Sequence, residues 1–208
     1  MSSADRSIRL LEEVSAVAQR HLADRGGPWL QLLCDGLSGA APRTNEAVGH
    51  HIVDTHLTAA VALAGDAEAP LAQALLAAAP SLTWCRAYDG VDGDADFVHF
   101  RDNYAYTRFI GPDDGTAPFT HPDIAMGFSL QAPKVRYGLH HHPAVEIYGV
   151  IGGTAEWKQN DDPWAMRPPG SLMIHEAHDD HAMTTHDEPL VTWWAWVTDV
   201  STSVPTMS

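Results

Sequence analysis

The residues from Tyr137 to Tyr148, YGLHHHPAVEIY, concentrate more metal-binding chemistry than any other stretch of the chain. In an extended strand alternate side chains share a face, so His140 and His142 point one way. Past the bend that Pro143 invites, Glu146 and Tyr148 do the same. Two imidazoles and a carboxylate are ligand types that hold divalent zinc, iron, manganese, nickel or copper, and a third imidazole would close such a site. A metal held this way keeps net positive charge and leaves a position for a substrate oxygen. A phenol beside that charge loses its proton more readily than free tyrosine, whose pKa is ~10, so Tyr148 or Tyr137 is a candidate general base. His141 falls on the opposite face.

The third imidazole has three contenders. Arg167 to Met183, RPPGSLMIHEAHDDHAM, runs from a Pro-Gly turn through a short apolar strand to His175, His178 and His181. Spacing alone does not choose among them. His21, His51, His56, His99, His121 and His186 stand singly and read as ordinary core or surface residues. Asp89 to Asp96 reads as a solvated loop, because it lacks the Gly and terminal Glu of a calcium loop.

Positioning such a site requires strands, and the second part of the chain supplies them. After Pro80, β-branched and aromatic residues alternate with polar ones, punctuated by Gly, Pro and Asp. Strands are expected at Thr83–Tyr88, Phe97–Phe100, Tyr104–Ile110, Ile124–Gln131, Val135–His142, Val145–Ile151, Thr154–Lys158, Ser171–Ile174, His181–Thr185 and Leu190–Val197. Many short strands without intervening helices imply an antiparallel sandwich or barrel. Before Pro80 the pattern is helical. Ile8, Leu11, Val14, Val17 and Leu22 mark one amphipathic face, and further helices are expected over Trp29–Leu37, Glu46–Ala64 and Pro70–Ala79. The expected organisation is a helical region over 1–80 and a β domain over 81–208.

Composition narrows the partners. The formal net charge is −15 with 12 Lys and Arg, which argues against nucleic acid or an anionic membrane as partner and tolerates a cationic or zwitterionic small molecule. Cys34 and Cys85 are too few for a disulfide framework, so a reducing compartment is the default. The N-terminus carries charges where a signal peptide would be apolar, and no run approaches the ~18 apolar residues that span a bilayer. A cytoplasmic protein is expected.

The two histidine-bearing stretches resemble the paired motifs of the cupin superfamily. Gly138, His140, His142, Glu146 and Gly152 match the first motif, although the leading Gly sits closer to the histidines than usual. Pro169, Gly170 and His181, continued by Ala182 and Met183, match the second, with Ala177 to Asp180 in place of its usual proline-glycine pair. The resemblance selects His181 as the closing ligand, and implies an all-β cupin barrel preceded by an N-terminal α-helical region. Within cupins the pattern is similar to the bacterial dimethylsulfoniopropionate lyases, through Tyr137, His140, His142, Glu146, Tyr148 and His181 in that order. The likeness covers Tyr137 to Met183.

That resemblance implies a metal-dependent carbon-sulfur lyase that binds one divalent transition metal and a zwitterionic small-molecule substrate, releasing dimethyl sulfide and acrylate by β-elimination. A permanent sulfonium cation is best recognised by aromatic faces. Trp194 and Trp196, on one face of a late strand with Trp193 on the other, are candidates for this, with Tyr104, Tyr106 and Trp157. Rival readings are another metal-dependent cupin enzyme, a dioxygenase or isomerase, and a non-enzymatic small-molecule sensor. The helices would cover a barrel mouth or form the contact of a homodimer.

Overall fold

In the computed structural model, which describes residues 1–113, 115–201 and 204–207, the first 82 residues are mainly helical. Helix α1 (Ser3–Arg25) starts at a capping box formed by Ser2 and Asp5 and stops at Gly26, whose φ of 65° few side chains tolerate. Pro28 opens α2 (Pro28–Gly39), and α3 (His51–Ala62) and α4 (Ala69–Ala78) follow. The expected helix over Glu46–Ala64 is shortened at its start. Val48 pairs in parallel with Thr83, its N–H donating to the Leu82 carbonyl, so the backbone there is committed to a strand-like bridge.

Two sheets follow. The strands are β1 (Ala41–Pro42), β2 (Trp84–Arg86), β3 (Tyr104–Gly111), β4 (Phe119–Thr120), β5 (Ala125–Gln131), β6 (Arg136–His141), β7 (Glu146–Gly152), β8 (Ala155–Gln159), β9 (Ala165–Arg167), β10 (Leu172–His175), β11 (His181–Thr185), β12 (Leu190–Trp196) and β13 (Thr206–Met207). Among the described residues, one sheet has the order β1-β4-β3-β5-β12-β7-β10 with β2 on β3, and the other β13-β6-β11-β8-β9. All pairings are antiparallel except β3 with β4. The expected N-terminal helical region before a β domain is present, and with about a third of the residues helical the whole is a mostly-sheet fold with a substantial helical layer rather than an all-β one.

One expected strand is a helix. Phe97–Phe100 lies within α5 (Ala95–Asp102), because the Asp94 carboxylate accepts from Phe97 N–H as an N-cap. Phe97 and Phe100, three apart, then share a face, and the Phe100 ring stacks on Tyr137 at 4.1 Å.

The larger sheet is covered on both faces, which explains why β5, β7 and β12 are buried at every position. On β12, Val191, Trp193 and Ala195 join the helices in one apolar cluster with Leu10, Leu33 and Leu75. Leu190, Trp194 and Trp196 face the smaller sheet. Trp193 lies opposite Gly149, where an added Cβ would come within 2.2 Å of the indole, so the glycine makes room for the ring. Burying each such large side chain contributes about 1.5–3 kcal/mol. The helices thus back the sheet on one side, and its other side is free to build a chamber.

Candidate metal centre and active site

Strands from both sheets converge on the histidines. His181 of β11 pairs with His140 of β6, while on the facing sheet Glu146 of β7 lies between His175 of β10 and Trp196 of β12. His142 follows directly after β6. The result is a buried group of His142, Glu146 and His181 whose ligand atoms all lie within 4.8 Å of one another. His142 Nε2 is 3.0 Å from Glu146 Oε2, and His181 Nε2 is 3.2 Å from the same oxygen. His140 is buried beside them, its ring 4.1 Å from that of His181.

Backbone contacts orient the three imidazoles alike. Nδ1 of His140, His142 and His181 faces the carbonyl oxygens of Gly138, Ala144 and Asp179 at 2.9, 3.0 and 2.9 Å. A ring that donates from Nδ1 carries its lone pair on Nε2, the tautomer of a ligating histidine. His181 Nε2 is buried without a hydrogen-bond partner, for its approach to Glu146 is close but misaligned. A buried orphan nitrogen of this kind calls for a partner. The residues present therefore fit a divalent transition metal, by donor type, by tautomer and by this unsatisfied atom.

Electrostatics agree. Burial would raise the Glu146 carboxyl, but the His142 and His181 imidazoles beside it outweigh that and hold the group ionised far below its usual range. Burial opposes charge on His142, yet Glu146 overcomes it and raises that imidazole above its ordinary value. His140, buried and beside His181, is held well below. Trp196 Nε1 donates to the other Glu146 oxygen at 2.9 Å.

The histidine contenders separate clearly. His178 is exposed, with its backbone N–H donating to the His142 carbonyl. His175 is fully buried, stacked on His181 at 4.1 Å, and accepts from Trp157 Nε1 at 3.2 Å. Burial and the neighbouring His181 push it down to about 3, so it is neutral. Its place beside the centre was not resolved by spacing.

Beside this group opens a cavity of about 380 Å³ lined by Tyr104, Tyr106, Tyr137, His140, His142, Glu146, Tyr148, Trp194 and Trp196. The candidate site residues read from the sequence line it except His181, fully buried against Glu146, and Trp157, which is buried with its Nε1 donating to His175. Burial followed by the Glu146 charge raises the Tyr148 phenol well above the ordinary value. Tyr137 is stacked flat on His140 at 3.8 Å, and its hydroxyl lies 3.0 Å from that of Tyr88. Burial raises Tyr137 likewise, and Tyr88 to about 12.

Tyr88 and Arg108 also line the cavity and were missed. Tyr88 sits in a loop with φ of 51°, which no sequence periodicity announces. Arg108 was accessible by simple alternation with Tyr104 and Tyr106.

Comparison with known proteins places this arrangement. The dimethylsulfoniopropionate lyase family model matches residues 33–192. A curated relative, dimethylsulfoniopropionate lyase DddQ of Ruegeria pomeroyi DSS-3, is 30% identical over 137 residues, 66% of this chain and 65% of that protein. The match thus spans somewhat less than two thirds of that relative's length. Among solved structures, one of the DMSP lyases RdDddP and RnDddQII matches with a TM-score of 0.82 and 26% identity, covering 100% of both chains. That of DddQ from Ruegeria pomeroyi DSS-3 matches with a TM-score of 0.82 and 25% identity, covering 98% of this chain and 96% of the other. The chain belongs to the dimethylsulfoniopropionate lyase family, in its cupin type.

Proposed function

We propose that the protein is a metal-dependent lyase that cleaves dimethylsulfoniopropionate to dimethyl sulfide and acrylate, with Tyr148 as general base. The observation that carries this reading is the buried His142, Glu146 and His181 group opening on the same chamber as Tyr148, two residues along β7 from Glu146. The two-sheet enclosure is taken as a cupin barrel, and the cytoplasm as its location, in keeping with Cys34 and Cys85 forming no disulfide. No helix among the described residues is long and apolar enough to cross a membrane.

A divalent cation held by His142, Glu146 and His181, with His140 beside them, would supply polarisation of the substrate carboxylate and positive charge next to the tyrosines. The chain's own residues account for the rest. Tyr148 is protonated at neutral pH while buried beside an anionic Glu146, so its work as a base is coupled to loading of the centre. As phenolate, its Oη takes the proton from the carbon next to the carboxylate. The electrons of that C–H bond form the carbon-carbon double bond, and the C–S bond breaks with its pair going to sulfur. The sulfonium leaves as a neutral sulfide, so no general acid is required. Trp194, Trp196, Tyr104 and Tyr106 present aromatic faces to the cation before it leaves.

Incubating the metal-loaded protein with dimethylsulfoniopropionate should release dimethyl sulfide, measured by headspace gas chromatography. Release no greater than from the metal-stripped protein would sink this reading.

A further inference from the structure

The metal-binding group draws its residues from both sheets, and two rings behind it tie those sheets together. His175 closes β10 on the larger sheet, where it pairs with Glu146 of β7, and Met173 before it pairs with Tyr148. Trp157 lies on β8 of the smaller sheet, opposite Met183 of β11, and Gln159 two residues on pairs with His181. The Trp157 indole donates from Nε1 to His175 Nε2 at 3.2 Å. One buried hydrogen bond therefore crosses from the neighbour of the His181 strand to the neighbour of the Glu146 strand. Gln159 follows the same seam, donating to the Ile174 carbonyl at 3.1 Å.

An indole N–H lies in the plane of its ring. The Trp157 and His175 rings are 11° from parallel with centroids 6.3 Å apart, so they meet edge to edge across their hydrogen bond and form one flat plate. The His181 ring lies on the His175 part of this plate, 4.1 Å away and 15° from parallel. The Tyr148 ring stands edge-on to both parts, its centroid 5.1 Å from that of Trp157 and 6.1 Å from that of His175. Both rings of the plate are buried, and neither is among the described residues that line the cavity, so they act from behind the site. Because the indole can only donate, His175 accepts on Nε2 and carries its hydrogen on Nδ1, which is buried with no partner among the described residues. A buried unpaired donor costs stability that an apolar ring would not. Accepting from Trp157 is what the polar ring provides there.

We propose that Trp157 and His175 are positioning residues of the metal centre, whose hydrogen bond sets the gap between the two sheets and so holds His181 at the separation from Glu146 that a cation requires. This rests on the metal-dependent reading above and extends it to two residues that touch neither cation nor substrate. A contact behind a ligand fixes the ligand's orientation and thereby the affinity of the centre. Here the contact does so through the spacing of two strands and through the face on which the His181 ring rests.

The test titrates the stripped full-length protein with cobalt(II), whose visible bands report the arrangement of its donors, in competition with a chelator. W157F and H175F each remove the hydrogen bond and keep an aromatic ring, and both should bind cobalt(II) about tenfold more weakly, at the lower end of the effect of contacts behind a ligand, with shifted bands. H175Q loses the ring but places an amide oxygen near the position of Nε2, and should recover most of the affinity and the wild-type bands. Packing alone would rank H175F above H175Q. Melting temperature establishes that each variant is folded, and the double variant W157F/H175F, which leaves no polar atom unpaired at this junction, replaces a single variant that is not. Affinity and bands equal to wild type in the folded variants, or H175Q no better than H175F, would overturn the proposal. A wild-type protein that binds no cobalt(II) would overturn the metal reading itself, and the proposal with it.

Discussion

Replacing Trp196 with Phe isolates one hydrogen bond at the centre of the site. The indole Nε1 donates to Glu146 Oε1 at 2.9 Å, while the other carboxylate oxygen faces His142 and His181. Trp196 therefore pins the carboxylate so that one oxygen stays turned to the two imidazoles. Both partners are buried, with Glu146 3% and Trp196 8% exposed, so water replaces the lost donor poorly. A hydrogen bond to a buried charged group is worth about 1.5–3 kcal/mol, and loss of such an outer contact typically weakens a metal by about 10–100-fold. Phe keeps an aromatic ring in the cavity wall, so packing changes less than polarity. The expected result is an affinity for zinc weaker by about 10–100-fold, read in competition with a chromophoric chelator, and a parallel fall in activity at limiting metal. Excess metal should restore part of the activity. Zinc affinity within about twofold of wild type, a difference below ~0.5 kcal/mol, would refute the idea that Trp196 orients Glu146 for a cation.

Tyr148→Phe should lower dimethyl sulfide release by about 10²–10⁴-fold, the scale of a lost general base, with bound metal unchanged by elemental analysis. Tyr137→Phe tests the alternative base, and the larger loss in that variant would transfer the role to Tyr137. Metal affinity should rise with pH and level off above 6.5, because Glu146 raises His142 above that ordinary value and the ligating imidazole must be neutral. Below that transition the affinity should fall about tenfold per pH unit for one displaced proton, and titrations showing a plateau that begins below 6.5 would contradict the pairing.

The shared direction of His140 and His142 was legible because strand alternation is a local rule, whereas Glu146 starts β7 on the facing sheet and meets them only through the fold. The choice of His181 over His175 and His178 was different, for it depends on which sheet each strand joins. His175 ends β10 on the larger sheet, opposite Glu146, while His181 opens β11 on the smaller one, opposite His140. Alternation likewise sorted Trp194 and Trp196 from Trp193. It misled at Phe97–Phe100, where a single side-chain cap at Asp94 redirects a short apolar run into a helix. Glu46–Ala64 was read too long because the Val48 bridge to Thr83 joins residues far apart in sequence. The helical content beneath the sheet was legible as helices, and its effect on β5, β7 and β12 appeared only once the layers were stacked.

The chain contains five tyrosines, and all five line the one cavity. Optically, this makes the protein its own indicator. A phenol that loses its proton gains a red-shifted near-ultraviolet band, and here no distant tyrosine contributes to that signal. Stepwise addition of a colourless cation such as zinc to the stripped protein, followed by difference absorbance, therefore reports phenolate formation in the chamber itself, without substrate, label or mutation.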